Sequence, residues 1–123
     1  MAGNAVTWFE IYVQDMPRAR AFYERVLGRK LEQLPSGDLE MWAFQGARDQ
    51  YGTAGALVRM AGVPSGGNST LVYFECDDCA VEGARVEAAG GSVFRPKFSI
   101  GPFGHIVLAV DTEGNLFGLH SMQ

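Results

Sequence analysis

Strand-like alternation and helical three-and-four spacing divide the chain into two similar series of elements. At 6–13 the run Val-Thr-Trp-Phe-Glu-Ile-Tyr-Val is rich in β-branched and aromatic residues and stops at Gln14 and Asp15, which predicts a strand. Asp15 is placed to cap a helix and Pro17 suits a first helical turn. Ala19, Phe22, Tyr23, Val26 and Leu27 then recur on one face before Gly28. This predicts an amphipathic helix of about three turns. Short extended runs follow at 30–34, 39–45 and 55–60, divided by Pro35-Ser36-Gly37-Asp38 and by the polar segment 46–52. The first half therefore reads β-α-β-β-β.

Residues 61–69, Ala-Gly-Val-Pro-Ser-Gly-Gly-Asn-Ser, hold the densest group of chain breakers and mark an internal boundary. Beyond them the order restarts: a strand at 70–76, a cap at Asp77 or Asp78, a small helix at 80–89 ending at Gly90 and Gly91, and strands at 92–98, 105–110 and 116–121. Setting Asp15 opposite Asp77 offsets the two series by 62 residues, half the chain. The expected architecture is one α+β domain over 1–123, with a first βαβββ module at about 6–60 and a second at about 70–121.

Composition narrows the class. Sixteen glycines in 123 residues are nearly twice the average usage of about 7%, which favours short strands and turns and excludes an all-helical bundle. A chain of this length buries roughly two thirds of its unfolded surface, enough for a single substantial core. The formal net charge of −4, with basic residues scattered between Arg18 and Lys97, argues against a phosphate-tracking nucleic-acid surface. No apolar run approaches the length of about 20 residues that crosses a bilayer, and the first residues do not read as a secretory leader. A cytoplasmic protein without membrane partners is expected. Cys76 and Cys79 spell C-x-x-C, but Asp77 and Asp78 between them disfavour a thiolate, and no further Cys or His pair nearby completes a zinc site. They read as a buried cysteine and a helix-start cysteine.

The run Trp8-Phe9-Glu10-Ile11-Tyr12-Val13 to Asp15, followed by Arg18-Ala19-Arg20-Ala21-Phe22-Tyr23 and Val26-Leu27-Gly28, resembles the opening of the vicinal-oxygen-chelate superfamily of glyoxalases, bleomycin-resistance proteins and extradiol dioxygenases. Asp111-Thr112-Glu113-Gly114-Asn115 with Gly118-Leu119-His120-Ser121 resembles that superfamily's closing turn and last strand, and Val86-Glu87-Ala88-Ala89-Gly90-Gly91 its second module. The resemblance implies two βαβββ modules whose mixed sheets curl into a cup, frequently completed across a homodimer. It also implies a divalent metal held by His, Glu or Gln on the first and last strands of the modules. In this chain those positions fall on Trp8, on Leu71, on Gly118 and near 56–58, none of which carries a donor side chain. No cofactor is therefore expected at the usual centre.

If Trp8 faces the cup, alternation adds Glu10 and Tyr12, and in the second module Leu71, Tyr73 and Glu75, while Phe9, Ile11 and Val13 pack under the helix. Trp42 and Phe44 would extend one wall, although core packing is the more frequent role of such a stripe. Glu10 and Glu75 are candidates for acid–base work; each is equally readable as a solvated or ion-paired rim residue. His105 and His120 could transfer protons near neutrality or serve as ordinary strand-edge residues. A displaced divalent metal on Glu10, His105 and His120 is an alternative. The segments 48–53 and 99–104 could fold over a ligand or merely connect strands.

Taken together, these residues predict a dimeric, metal-free protein that binds an aromatic or amphiphilic small molecule, with one cavity lined by Trp8, Tyr12 and Tyr73 as its structural signature. The alternative is a glyoxalase-like lyase or isomerase using Glu10, Glu75 or His120. A purely structural dimer module, its cup filled by Trp8 and Leu71, is the third class.

Overall fold

The computed structural model describes residues 3–47 and 49–123. The first module comprises β1 (Phe9–Tyr12), α1 (Met16–Leu27), β2 (Leu31–Leu34), β3 (Glu40–Phe44) and β4 (Gly55–Arg59). The second comprises β5 (Tyr73–Glu75), α2 (Cys79–Gly83), β6 (Ser92–Ser99), a 3₁₀ turn (Gly101–Phe103), β7 (His105–Val110) and β8 (Leu116–Ser121). Each module forms a four-stranded mixed sheet, in the orders β1-β4-β3-β2 and β5-β8-β7-β6. In both sheets the first strand pairs in parallel with the last, and the other pairings are antiparallel. The architecture is α+β with the expected element order.

Boundaries depart from expectation where partners are missing. β1 starts at Phe9 rather than at residue 6 because β4 starts at Gly55, opposite Phe9, and offers nothing to pair with 6–8. β5 shortens to three residues because its neighbour β8 pairs only through Gly118–His120. The side chain of Asn68 meanwhile accepts from Leu116 N and donates to Leu116 O. α2 is the largest departure, ending at Gly83 and continuing to Gly90 as turns. Gly83 lies against Val107, and bonds such as Arg85 N to Glu82 O and Val86 N to Gly83 O tighten the backbone to three-residue closures.

The caps explain both helix starts. Asp15 Oδ1 accepts from Arg18 N at 3.0 Å, Pro17 follows, and α1 ends where Gly28 adopts φ 67°, a left-handed conformation suited to glycine. In the second module the cap is Asp78, which accepts from Ala80 N, so the modules are offset by 63 residues instead of 62.

One core serves both modules. Ile11, Val13, Phe22, Tyr23, Val26, Leu31, Phe44 and Leu57 from the first meet Cys79, Val86, Val107, Phe117 and Leu119 from the second. Tyr23 is fully buried among Phe22, Phe44, Phe74 and Phe117, at ring-centroid separations of 5.0 to 5.7 Å. Its hydroxyl donates to Asp111 Oδ2 at 2.6 Å. Asp111 Oδ1 accepts from Glu113 N and Asn115 N, shaping the tight β7–β8 turn. That turn reaches back to the first module: Glu113 Oε1 accepts from Gln14 N and Asp15 N, and Arg18 Nε meets Glu113 Oε2 at 2.7 Å. Asn115 Nδ2 donates to Tyr12 O. The linker is fastened to the same turn, through Ser65 Oγ to Glu113 O and Gly66 N to Asn115 Oδ1.

Burial by itself pushes the Glu113 carboxyl up, but its hydrogen bonds from Arg18, Asp15, Gln14 and Thr112 prevail and hold it at about 2, against an ordinary 4.5. Because the folded state depresses this group, its stabilisation is complete above about pH 4.5 and is lost as pH falls toward 2. Glu113→Gln is expected to cost about 2 kcal/mol at pH 7, through lost charge-assisted hydrogen bonds. In urea unfolding, the gap between wild type and variant should narrow from pH 6 to pH 3; a pH-independent gap would refute this role.

Candidate functional site

Strand alternation and register sort the candidate residues onto two kinds of face. In the first sheet Phe9, Gly55, Phe44 and Leu31 lie side by side on the face covered by α1, as do Ile11, Leu57 and Trp42. Glu10, Ala56 and Ala43 share the opposite, helix-free face, followed by Tyr12, Val58 and Met41. In the second sheet Tyr73, Gly118 and Leu108 share the helix-free face with Glu75, His120 and Ile106, while Phe74, Leu119 and Val107 join the core.

On the first sheet the helix-free face carries a connected trio. Glu10 accepts through Oε1 from the Tyr12 hydroxyl at 2.7 Å and through Oε2 from Trp8 Nε1 at 3.4 Å, with Trp8 40% exposed. The Glu10 carboxylate, the strongest cause, and burial both push the Tyr12 phenol up, so it stays a donor at neutral pH. On the second sheet the Tyr73 ring, 47% exposed, lies directly over Gly118. A Cβ on Gly118 would run into that ring. The first module repeats the device on its covered face, where the Phe9 ring lies over Gly55. A glycine inside a strand marks such a close approach. Phe9 and Gly118 thus have roles beyond those read from the sequence, and the strand glycines were the available signal.

Several expectations need correction. Trp42 and Phe44 do not extend the wall beside Glu10. The register with β4 puts Met41 and Ala43 there and turns Trp42 and Phe44 under α1, where Arg20 stacks on Trp42 at 3.3 Å and Phe44 joins the aromatic core. His105 and His120 lie on opposite faces: His105 pairs with Ser121 on the α2 side, and His120 pairs with Glu75 and Ile106. His120 Nε2 is 2.6 Å from Phe103 O, which ties the 3₁₀ turn to β8. Glu10, His105 and His120 are therefore not brought together, and among the described residues no three His, Cys, Asp or Glu side chains converge on a metal position.

The expected single cup is also divided. The edges of β1 and β5 face one another along a seam with a cavity on either side. The larger, of about 1070 Å³, is bordered by Phe9, Tyr51, Tyr73, Phe74, Glu75 and Glu82 among others. The smaller, of about 240 Å³, is bordered by Glu10, Tyr12, Asn115 and the linker. Neither is lined by Trp8, Tyr12 and Tyr73 together, because the sheets share their helix-covered faces and leave their other faces apart. Leu71 is half-buried ahead of β5 and borders neither cavity. Gly46, Ala47 and residues 50–53 border the larger cavity; Arg48, the first residue of the 48–53 segment, lies outside the described residues.

The cysteines behave as read. Cys76 and Cys79 are free and buried, with Cys79 opening α2. Burial, then the Glu82 charge rather than Asp77 or Asp78, pushes the Cys76 thiol up to about 12.

Residues 5–46 match the family described as bleomycin resistance protein-like N-terminal. The antibiotic binding protein TnmS3 from a Streptomyces species is 29% identical, with a TM-score of 0.70 and 98% of each chain covered. Glyoxalase I from Zea mays has a TM-score of 0.73 at 22% identity, over 97% of this chain and 48% of that one, which shows the shared fold. The putative glyoxylase CFP32 of Mycobacterium bovis is 32% identical over 121 residues, 94% of this chain but 43% of the relative, so the chain spans less than half of that protein. Together these matches support the vicinal-oxygen-chelate superfamily, the glyoxalase, bleomycin-resistance and dioxygenase proteins, as the group this chain most resembles.

The Tyr73–Gly118 contact makes a direct prediction. Gly118→Ala should destabilise the fold by about 1–3 kcal/mol through overpacking, and Tyr73→Ala should relieve most of that cost. A double-mutant cycle by urea denaturation measures the coupling; additive costs would show that the ring does not set the constraint.

Proposed function

We propose that the chain is a small-molecule-binding protein of this superfamily that takes an aromatic or amphiphilic ligand and does not use the superfamily's metal centre. The observation that carries this reading is the replacement of donors by aromatic surface. Trp8 stands at one expected ligand position, and at another Gly118 is covered by the Tyr73 ring. Leu71 and the 56–58 region add aliphatic groups. Such residues do not fit a divalent cation, which needs N or O donors at about 2.0–2.2 Å. They do suit a flat apolar molecule. The near-full-length similarity to an antibiotic binding protein supports the same class.

Because Trp8, Tyr12 and Tyr73 do not share a cavity in one chain, the reading places a second copy against the helix-free faces. Val6, Trp8 and Tyr73 are large apolar groups exposed there or at the seam, as expected of surfaces that acquire partners. The working protein is then a homodimer in the cytoplasm.

A second reading, a glyoxalase-like lyase or isomerase, is favoured by the putative glyoxylase relative. Within it Glu10, held by Tyr12 and Trp8, is the proton-transfer group, and a displaced divalent metal would draw its donors from more than one chain.

With Trp42→Phe leaving Trp8 as the single indole, a panel of aromatic and amphiphilic compounds should quench its emission saturably, and sedimentation should show a dimer. A monomer that binds nothing in the panel would overturn the binding reading. Metal-dependent turnover in a glyoxalase-type assay, abolished by Glu10→Gln with folding intact, would put the enzyme reading in its place.

A further inference from the structure

The 1070 Å³ cavity has a chemical bias that narrows its occupant. It opens between β5 and the 46–53 connection, and its floor reaches Phe9 and Phe74 of the shared core. Three carboxylates border it: Glu75, Asp77 and Glu82. Among the described residues that line it, Arg29 is the one basic group, and no ion pair found among the described residues uses any of the three carboxylates. Glu82 stands out, because its Oε1 is buried beside the Cys76 thiol with no N–H or O–H donor, in a residue bordering the void. A thiol is a weak donor, and a buried carboxylate oxygen without a stronger one is costly and is satisfied by an incoming donor or cation.

The second feature is a surface for stacking. The Tyr73 ring is pinned on one face by Gly118, half exposed on the other, and borders the cavity alongside Tyr51, which is almost wholly exposed. A ring fixed from behind loses little freedom when a planar molecule settles on it, and its negative face attracts positive charge. Carboxylates around an aromatic shelf favour the same sign of ligand.

We infer that this cavity binds a planar aromatic cation, stacked on Tyr73 and neutralised by Glu82 with Glu75 and Asp77. The inference rests on the small-molecule-binding reading and adds to it the charge and the location of the ligand. Every group named belongs to one chain, so the site is complete without a partner residue, and a second copy must leave the cavity side of the Tyr73 ring open.

Two tricyclic probes of opposite charge test it: proflavine, a planar cation at neutral pH, and 9-anthracenecarboxylate, a planar anion. Calorimetric titration of the full chain should show proflavine bound about tenfold or more tighter, and progressively weakened as salt rises. Glu82→Gln and Tyr73→Ala should each weaken proflavine by about fivefold or more, with circular dichroism unchanged. Gly118→Ala, which displaces the ring, should do the same without touching a charge. Should one variant fail to fold, the other two carry the test. Equal or tighter binding of the anion would overturn the inference while leaving the small-molecule reading standing. Proflavine binding indifferent to all three substitutions would overturn the location. Binding of neither probe would overturn the inference, and the fluorescence panel then decides the broader reading separately.

Discussion

The hydrogen bond from the Tyr23 hydroxyl to Asp111 is the joint on which the molecule turns. It links the helix of one module to the closing turn of the other, at the centre of a cluster of aromatic rings drawn from both. Burial, with the adjacent Asp111 charge, pushes the phenol far above its ordinary range, so it remains a fixed donor. A buried phenol and a buried carboxylate are each costly alone and acceptable together. Around this pair, Asp111 shapes the turn, Glu113 seizes the start of α1, and Asn115 holds both Tyr12 and the linker.

Joining the modules through their helix-covered faces determines where chemistry can happen. The other face of each sheet is left without an intramolecular cover, and the first strands of the two modules expose their free edges along a seam. Polar and aromatic groups accumulate there: Trp8, Glu10 and Tyr12 on one sheet, Tyr73, Glu75 and His120 on the other. The pseudo-symmetry is imperfect in an informative way. The short β7–β8 turn contributes Asn115 to the smaller cavity, whereas described residues of the longer connection between β3 and β4, among them Tyr51 and Thr53, border the larger.

Much of the local structure was legible from residues alone. The helix at 16–27 carries its cap, its proline and its terminal glycine in order, and β7 and β8 fall within the bounds that alternation suggested. The faces of β1 were legible for the same reason, since a two-residue period leaves Glu10 and Tyr12 opposite Phe9 and Ile11. Pattern reasoning failed where register was required. Trp42 and Phe44 alternate correctly, yet which face they take depends on whether Ala43 or Trp42 meets Ala56, and a shift of one residue exchanges the two. His105 and His120 were misgrouped on the same account. α2 was overextended because alanines at 80–89 suit a helix until Gly83 is pressed against Val107.

The sequence by itself determined the order of the elements and the caps of the first helix, because each depends on residue identity within a few positions along the chain. Only the tertiary structure decided that the two aromatic faces stand apart, that a tyrosine ring fills the space above Gly118, and that Glu82 holds a buried oxygen beside the Cys76 thiol at the border of a cavity. Those facts arise from contacts between segments distant in sequence, where packing of one shared core selects the register and the module orientation, and no local pattern encodes that choice.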